Sequence, residues 1–153
     1  MKKAKMFLCA LVALATLFTS CKKEEEKAST DSYVAGTYKG SVVMSVGGTN
    51  YDPFDAEIKL EGNGKNAVKL TLPEVSSGMS TIPALTVGNI SVTTSDYKRF
   101  ILSETSFDQT VNDTKYSGKV SGTVNDGKLT LNYSVKPGAM PMSINFVFTT
   151  NDK

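Results

Sequence analysis

Few side chains in this sequence could do chemistry, and each suggests a different kind. Cys21 is a thiol set between an apolar run and a run of charge, a possible point of attachment. An enzyme reading needs a carboxylate pair such as Asp52 and Asp55 to act as acid and base, and these flank a turn, where Asp is common for structural reasons. Tyr38, Tyr116 and Tyr133 carry phenols that could point into an interior. The chain has no His, which removes Ser-His-Asp and Cys-His catalysis. A zinc site would rest on carboxylates alone, an unusual donor set. No Gly-rich phosphate loop or dinucleotide fingerprint occurs. The expectation is a protein that is not an enzyme and needs no metal or cofactor.

The setting of Cys21 is more informative than the thiol itself. Lys2, Lys3 and Lys5 precede an apolar run from Met6 to Phe18, and small residues follow. That order reads as an export signal over residues 1–20. The apolar run is too short for a hydrocarbon core, which needs about 20 residues. Phe18-Thr19-Ser20-Cys21 resembles the lipobox of bacterial lipoproteins, with Phe18 where Leu is usual. The resemblance implies that Cys21 is acylated and becomes the mature N-terminus. Cys9 would leave with the signal, so the mature chain keeps one cysteine and forms no internal disulfide. One acyl chain holds only marginally, and the several chains of a lipoprotein, palmitate among them, would give lasting attachment.

Residues 21–32 then read as a lipidated flexible tether, disordered or frayed helix, because Lys22 to Ser32 offers no large apolar side chain to offset the entropy of ordering. Lys22-Lys23-Glu24-Glu25-Glu26 resembles the short acidic signal that sends some lipoproteins to the outer face of the outer membrane. A solvated spacer is the plainer reading. In lipoproteins of the kind this stretch resembles, an Asp after the cysteine would imply retention at the inner membrane, and here Lys22 stands in that place. The expected location is the outer membrane, with the membrane engaged through the N-terminal lipid.

Charge narrows the partners. The chain has 17 basic and 15 acidic residues; losing Lys2, Lys3 and Lys5 leaves 14 against 15, a net charge of −1. Nothing here attracts nucleic acid by bulk charge.

Residues 33–153 form one domain of ordinary size. Its hydrophobicity alternates with a period of two and is punctuated by Gly, Asn, Asp and Pro, the mark of half-buried antiparallel strands. A first strand places Val34, Gly36, Tyr38, Gly40, Val42, Met44 and Val46 on one face. Phe54 to Leu60, Val68 to Leu72 and Leu85 to Thr94 follow, with Gly62-Asn63-Gly64 as a tight hairpin and Gly88 suggesting either a bulge, which would switch the alternation, or a close approach. Pro73 to Pro83 reads as the longest loop. The fifth strand runs from Tyr97 to Glu104, and its Phe100-Ile101-Leu102 run leaves the face unassigned. A polar loop through Asn112 and Asp113 leads to Tyr116–Val124. Asn125-Asp126-Gly127 is the strongest hairpin signal, before Leu129–Val135 and, past Pro137 to Pro141, Met142–Phe148. About eight short strands without a convincing helix fit a sandwich or a barrel, and closure would pair the first with the eighth and remove bare edges. The expected fold is all-β, an eight-stranded antiparallel up-and-down barrel.

Gly36-Thr37-Tyr38-Lys39-Gly40, Gly118-Lys119-Val120-Ser121-Gly122 and Pro137-Gly138-Ala139-Met140-Pro141-Met142 resemble the calycin-like barrel domain of exported bacterial lipoproteins. Lipocalins and avidins of the wider group carry Gly-x-Trp on the first strand; here Tyr38 takes that place. The resemblance implies a binding module. An eight-stranded barrel is filled by its own side chains or holds one small ligand. Inward Gly36, Gly40, Ala56, Gly118 and Gly122 would leave room for a small apolar ligand beside Tyr38, Tyr116 and Tyr133. A filled barrel would instead meet an envelope or host protein, or a glycan, through loops bearing Met79, Met140 and Met142.

Overall fold

The computed structural model describes residues 29–78 and 80–151. The expected signal segment, Cys21, the start of the tether and Met79 lie outside the described residues.

Alternating sequence becomes a closed barrel. Its strands are β1 (Gly36–Val46), β3 (Phe54–Gly62), β4 (Ala67–Leu72), β7 (Leu85–Thr94), β8 (Arg99–Val111), β9 (Thr114–Asn125), β10 (Lys128–Pro137) and β11 (Ile144–Thr150). Each is antiparallel to its barrel neighbour in sequence, and β11 pairs back with β1 through Val42 opposite Phe148 and Met44 opposite Phe146. Closure pairs the two outermost strands of the sheet, while β7 and β8 are joined only through Val92–Thr94 opposite Phe100–Leu102. Between these strands lie β2 (Thr49–Asn50), an extension folded back on β1, and a separate two-stranded hairpin of β5 (Val75–Ser77) and β6 (Ser80–Ile82).

The pleat sends every second side chain inward, and outside the second half of β8 the inward set is mostly apolar. Val42, Ile58, Leu60, Val68, Leu70, Leu129, Leu131, Phe146 and Phe148 are essentially inaccessible to solvent. Two bulges reset the alternation. In β7, Val68 faces Ile90 while Leu70 faces Val87, so Gly88 and Asn89 oppose a single residue of β4. Asn89 sits at φ 57°, and the inward set changes from Leu85 and Val87 to Ile90 and Val92, as the bulge reading of Gly88 predicts. In β8, Leu102 faces Gly122 and Thr105 faces Val120, placing Ser103 and Glu104 against one residue of β9.

The second bulge accounts for a correction. The sequence reading ends the fifth strand at Glu104, whereas the strand continues to Val111. Beyond the bulge the inward positions become odd, and only Phe107 and Val111 among them are apolar, so the pattern is too dilute to recognise. Phe100 and Leu102 point inward and Ile101 outward. Tyr97 belongs to the preceding turn, at φ 56°.

Three further expectations change. Val34 is not in the first strand: Thr30–Val34 forms a helix, α1, with Thr30 and Val34 buried. The tether therefore cannot extend to Ser32 as expected. The Pro73–Pro83 segment is not a plain loop, since its hairpin contributes buried Val75 and Ile82 to the core. The prolines do keep it out of the barrel wall. The link after Gly62 is also wider than a tight hairpin, because pairing resumes only at Gly62 opposite Val68. Asp126 and Gly127, by contrast, both have positive φ, 49° and 76°, as a two-residue hairpin of this kind requires.

Candidate functional site

The three inward tyrosines stand at different heights of the barrel. Tyr38 lies near the end occupied by α1, and its hydroxyl donates to the Val34 carbonyl oxygen at 2.7 Å. Burial pushes its phenol pKa up. Tyr133 lies in the middle, between Val120 and Phe146 of its neighbouring strands. Its ring stacks on Phe146 with centroids 4.7 Å apart and planes at 11°. It is only 5% exposed, and its hydroxyl has no hydrogen-bond partner among the described residues. Burial drives that pKa strongly upward, because ionisation there would strand a charge in an apolar interior. Tyr116, also buried, sits opposite Gln109 and Pro137, close to the β8–β9 turn. The structure brings all three rings into one core but does not gather them around one locus.

The room expected beside the glycines is mostly taken. A β-carbon on Gly40 would fall 2.7 Å from Phe148 Cζ and collide with the Thr149 carbonyl. One on Gly118 would meet Phe107 Cζ at 2.8 Å and strike the Ser134 carbonyl, and one on Gly122 would meet Leu131 Cδ1 at 3.0 Å. These glycines let a ring or a neighbouring strand come close. Gly36 is exposed, with open space at its α-carbon. Ala56 packs against the core.

Asp52 and Asp55 are both exposed, Asp52 in the link before β3 and Asp55 opposite Ser41 on the barrel wall. Among the described residues no group of three His, Cys, Asp or Glu side chains is disposed to hold a metal ion.

The two ends differ. At one, α1 is packed against β3, β4 and β7, and the Thr30 hydroxyl donates to Asn66 Oδ1 at 2.8 Å. At the other, Met142 lies over Gly47, within 3.7 Å of where a β-carbon would stand. There the β1–β2 turn meets the β10–β11 loop, and Tyr51, Met140 and Met142 are about half exposed. Tyr51 was not singled out from sequence; its flanking polar residues hide it from any periodic pattern.

Residues 34–151 match the family described as the calycin-like beta-barrel domain. The chain belongs to the calycin-like β-barrel family. Among solved structures, it is similar to a candidate outer membrane protein from Bacteroides fragilis, with 29% identity and a TM-score of 0.73. The match covers 83% of this chain and 54% of that one, so the chain spans about half of that protein's length. No relative is found among curated proteins.

The outer wall of this calycin-like barrel is charged. Lys39 pairs with Glu57 at 3.9 Å, Lys59 and Lys69 both pair with Glu61 at 3.0 and 2.9 Å, Lys115 with Asp108 at 2.9 Å, and Lys119 with Glu104 at 2.9 Å. A membrane-spanning barrel needs the reverse, an outward apolar band about 25 Å tall around a polar lumen. These strands therefore do not face lipid.

Proposed function

We propose that this chain is an outer-membrane lipoprotein, acylated at Cys21, whose calycin-like barrel is a filled, rigid head that meets a protein or glycan partner through the rim bearing Tyr51, Met140 and Met142. It is a non-catalytic module. The observation that carries this reading is the interior, where Phe107, Phe148 and Leu131 occupy the space the inward glycines leave. With the inside committed to packing, recognition falls to the surface. Its largest exposed apolar side chains include the three at the rim, of the aromatic and Met types favoured in contact surfaces. The envelope location draws on the signal-like N-terminus and on the similarity to the Bacteroides fragilis protein. Because the wall is charged, attachment would run through lipid on the cysteine.

Two measurements test the reading. Metabolic labelling with a fatty acid should tag the wild type and not Cys21→Ser, and labelling of both or neither refutes the anchor. Photo-crosslinkers placed at Tyr51 and Met142 in intact cells should give a discrete adduct that a crosslinker at Lys39 on the wall does not. Identical adduct patterns from rim and wall would remove the rim as the contact.

One observation favours a second reading, in which the barrel takes a small, mostly apolar molecule with one hydrogen-bonding group. The buried Tyr133 hydroxyl has no partner among the described residues, and such a ligand would supply one. A rise in melting temperature with a ligand, abolished in Tyr133→Phe, would favour it over the rim; silence across a broad screen would count against it.

A further inference from the structure

We propose that the end of the barrel closed by α1 docks on the lipid surface, with Tyr33 and Tyr97 seated among the headgroups. This inference rests on the acylation of Cys21 proposed above and adds an orientation and a second point of membrane contact. Ser29, the first described residue, lies at the closed end, and eight peptide units separate it from Cys21. A fully extended chain of that length reaches at most about 28 Å. The acyl anchor would hold the closed end against the bilayer, leaving the rim with Tyr51, Met140 and Met142 on the far side.

The closed end carries the side chains that such contact uses. Tyr33 and Tyr97 are 49% and 37% exposed, and their rings meet edge to face at 5.5 Å. Tyr33 also stacks on Phe100 at 5.6 Å and 20°, and buried Phe100 ties the pair to the core. The turn that presents Tyr97 is firmly made. The Tyr97 N–H donates to Thr94 Oγ1 at 3.0 Å, and Asp96 Oδ1 accepts from the Lys98 and Arg99 N–H groups at 3.0 and 3.1 Å. These bonds hold Tyr97 at its positive φ, an unusual conformation for a bulky residue. Lys98 and Arg99 follow Tyr97 in the chain, with Lys65 and Lys128 beside neighbouring turns of the same end, against Asp31, Asp96 and Asp126. Exposed tyrosine rings on an end that carries four basic and three acidic side chains suit the membrane–water interface.

The chain has no Trp, so single Trp reporters are unambiguous. Full-length lipidated Tyr97→Trp and Tyr51→Trp proteins would be placed in phosphatidylcholine–phosphatidylglycerol vesicles containing lipid brominated near the headgroup. Seating at the interface predicts about a twofold loss of Tyr97→Trp emission and little change for Tyr51→Trp. Tyr33→Trp provides a second reporter should the turn not tolerate indole. Unquenched reporters at both 33 and 97, or equal quenching at 51, overturn the proposal. Flotation of the same samples separates the causes: floating but unquenched protein refutes docking and leaves the anchor standing, whereas protein that fails to float refutes both.

Discussion

The Tyr38 hydroxyl donates to the Val34 carbonyl oxygen at 2.7 Å, so a side chain of the barrel wall holds the last residue of the helix that closes the barrel. The bond joins two elements that the hydrophobic pattern alone would leave to packing. Tyr38→Phe keeps the ring and deletes the bond, and should cost about 1 kcal/mol. For a domain of this size that is a fall in melting temperature of about 3–5 °C, read by thermal denaturation. An unchanged melting temperature would show that packing alone seats α1.

Burial raises the phenol pKa of both Tyr38 and Tyr133. In the unfolded chain both ionise near pH 10, while in the folded barrel they keep their protons to higher pH. Above pH 10 the unfolded state therefore binds fewer protons than the native state. Stability owed to these groups is intact below that pH and is lost as pH rises from there toward the folded values. Urea midpoints should fall between pH 9 and pH 11, and fall less in the Tyr38→Phe/Tyr133→Phe double variant. Parallel curves for the two proteins would assign the alkaline loss to other groups.

Tyr133 offers a separate test, since its hydroxyl is buried without a partner among the described residues. Leaving a polar group unpaired costs about 1–3 kcal/mol. Tyr133→Phe preserves the stack on Phe146 and should therefore raise stability, by up to about 1 kcal/mol. A drop instead would mean that the hydroxyl has a partner in solution, such as a water or a bound molecule, and would strengthen the ligand reading over the filled barrel.

The barrel was legible where one rule held without interruption. Along β1, β3, β4, β9, β10 and β11, inward Val42, Ile58, Leu70, Val120, Leu131 and Phe146 each belong to an unbroken alternation, even-numbered in every strand but β10. The pattern fails at Ser103–Glu104, where a bulge shifts the parity and polar Thr105 and Gln109 then alternate inward with Phe107 and Val111. It fails again at α1, whose five residues are too few to show a helical period and bury only Thr30 and Val34. The site was harder to read. Sequence places Tyr38, Tyr116 and Tyr133 inward but not at what height, and an inward glycine looks the same whether a ligand or Phe107 fills its space.

Gly118 makes that last distinction testable. A β-carbon there would strike the Ser134 carbonyl and lie 2.8 Å from Phe107 Cζ. A backbone carbonyl in a strand ladder cannot move aside, so Gly118→Ala should destabilise by about 1–3 kcal/mol or more. Gly78→Ala, where nothing lies within 4 Å, should stay within about 0.5 kcal/mol. If Gly118→Ala is as benign as Gly78→Ala, the interior has slack that the filled-barrel reading does not allow.

Val34 is fully buried against the core from the short helix α1, and α1 lies between the barrel and the chain leading back to Cys21. Any pull on an acylated N-terminus would reach α1 before the barrel wall. Val34→Ala removes two buried methyl groups and should cost about 1–2 kcal/mol at about 0.8 kcal/mol per buried carbon, more if a cavity remains. Because α1 packs on β3, β4 and β7, amide exchange should accelerate first at the α1 end of those strands while β9–β11 keep their protection. Uniform acceleration around the barrel would instead make α1 part of the global folding unit, and the closed end would then have no separate opening that the β10–β11 side escapes.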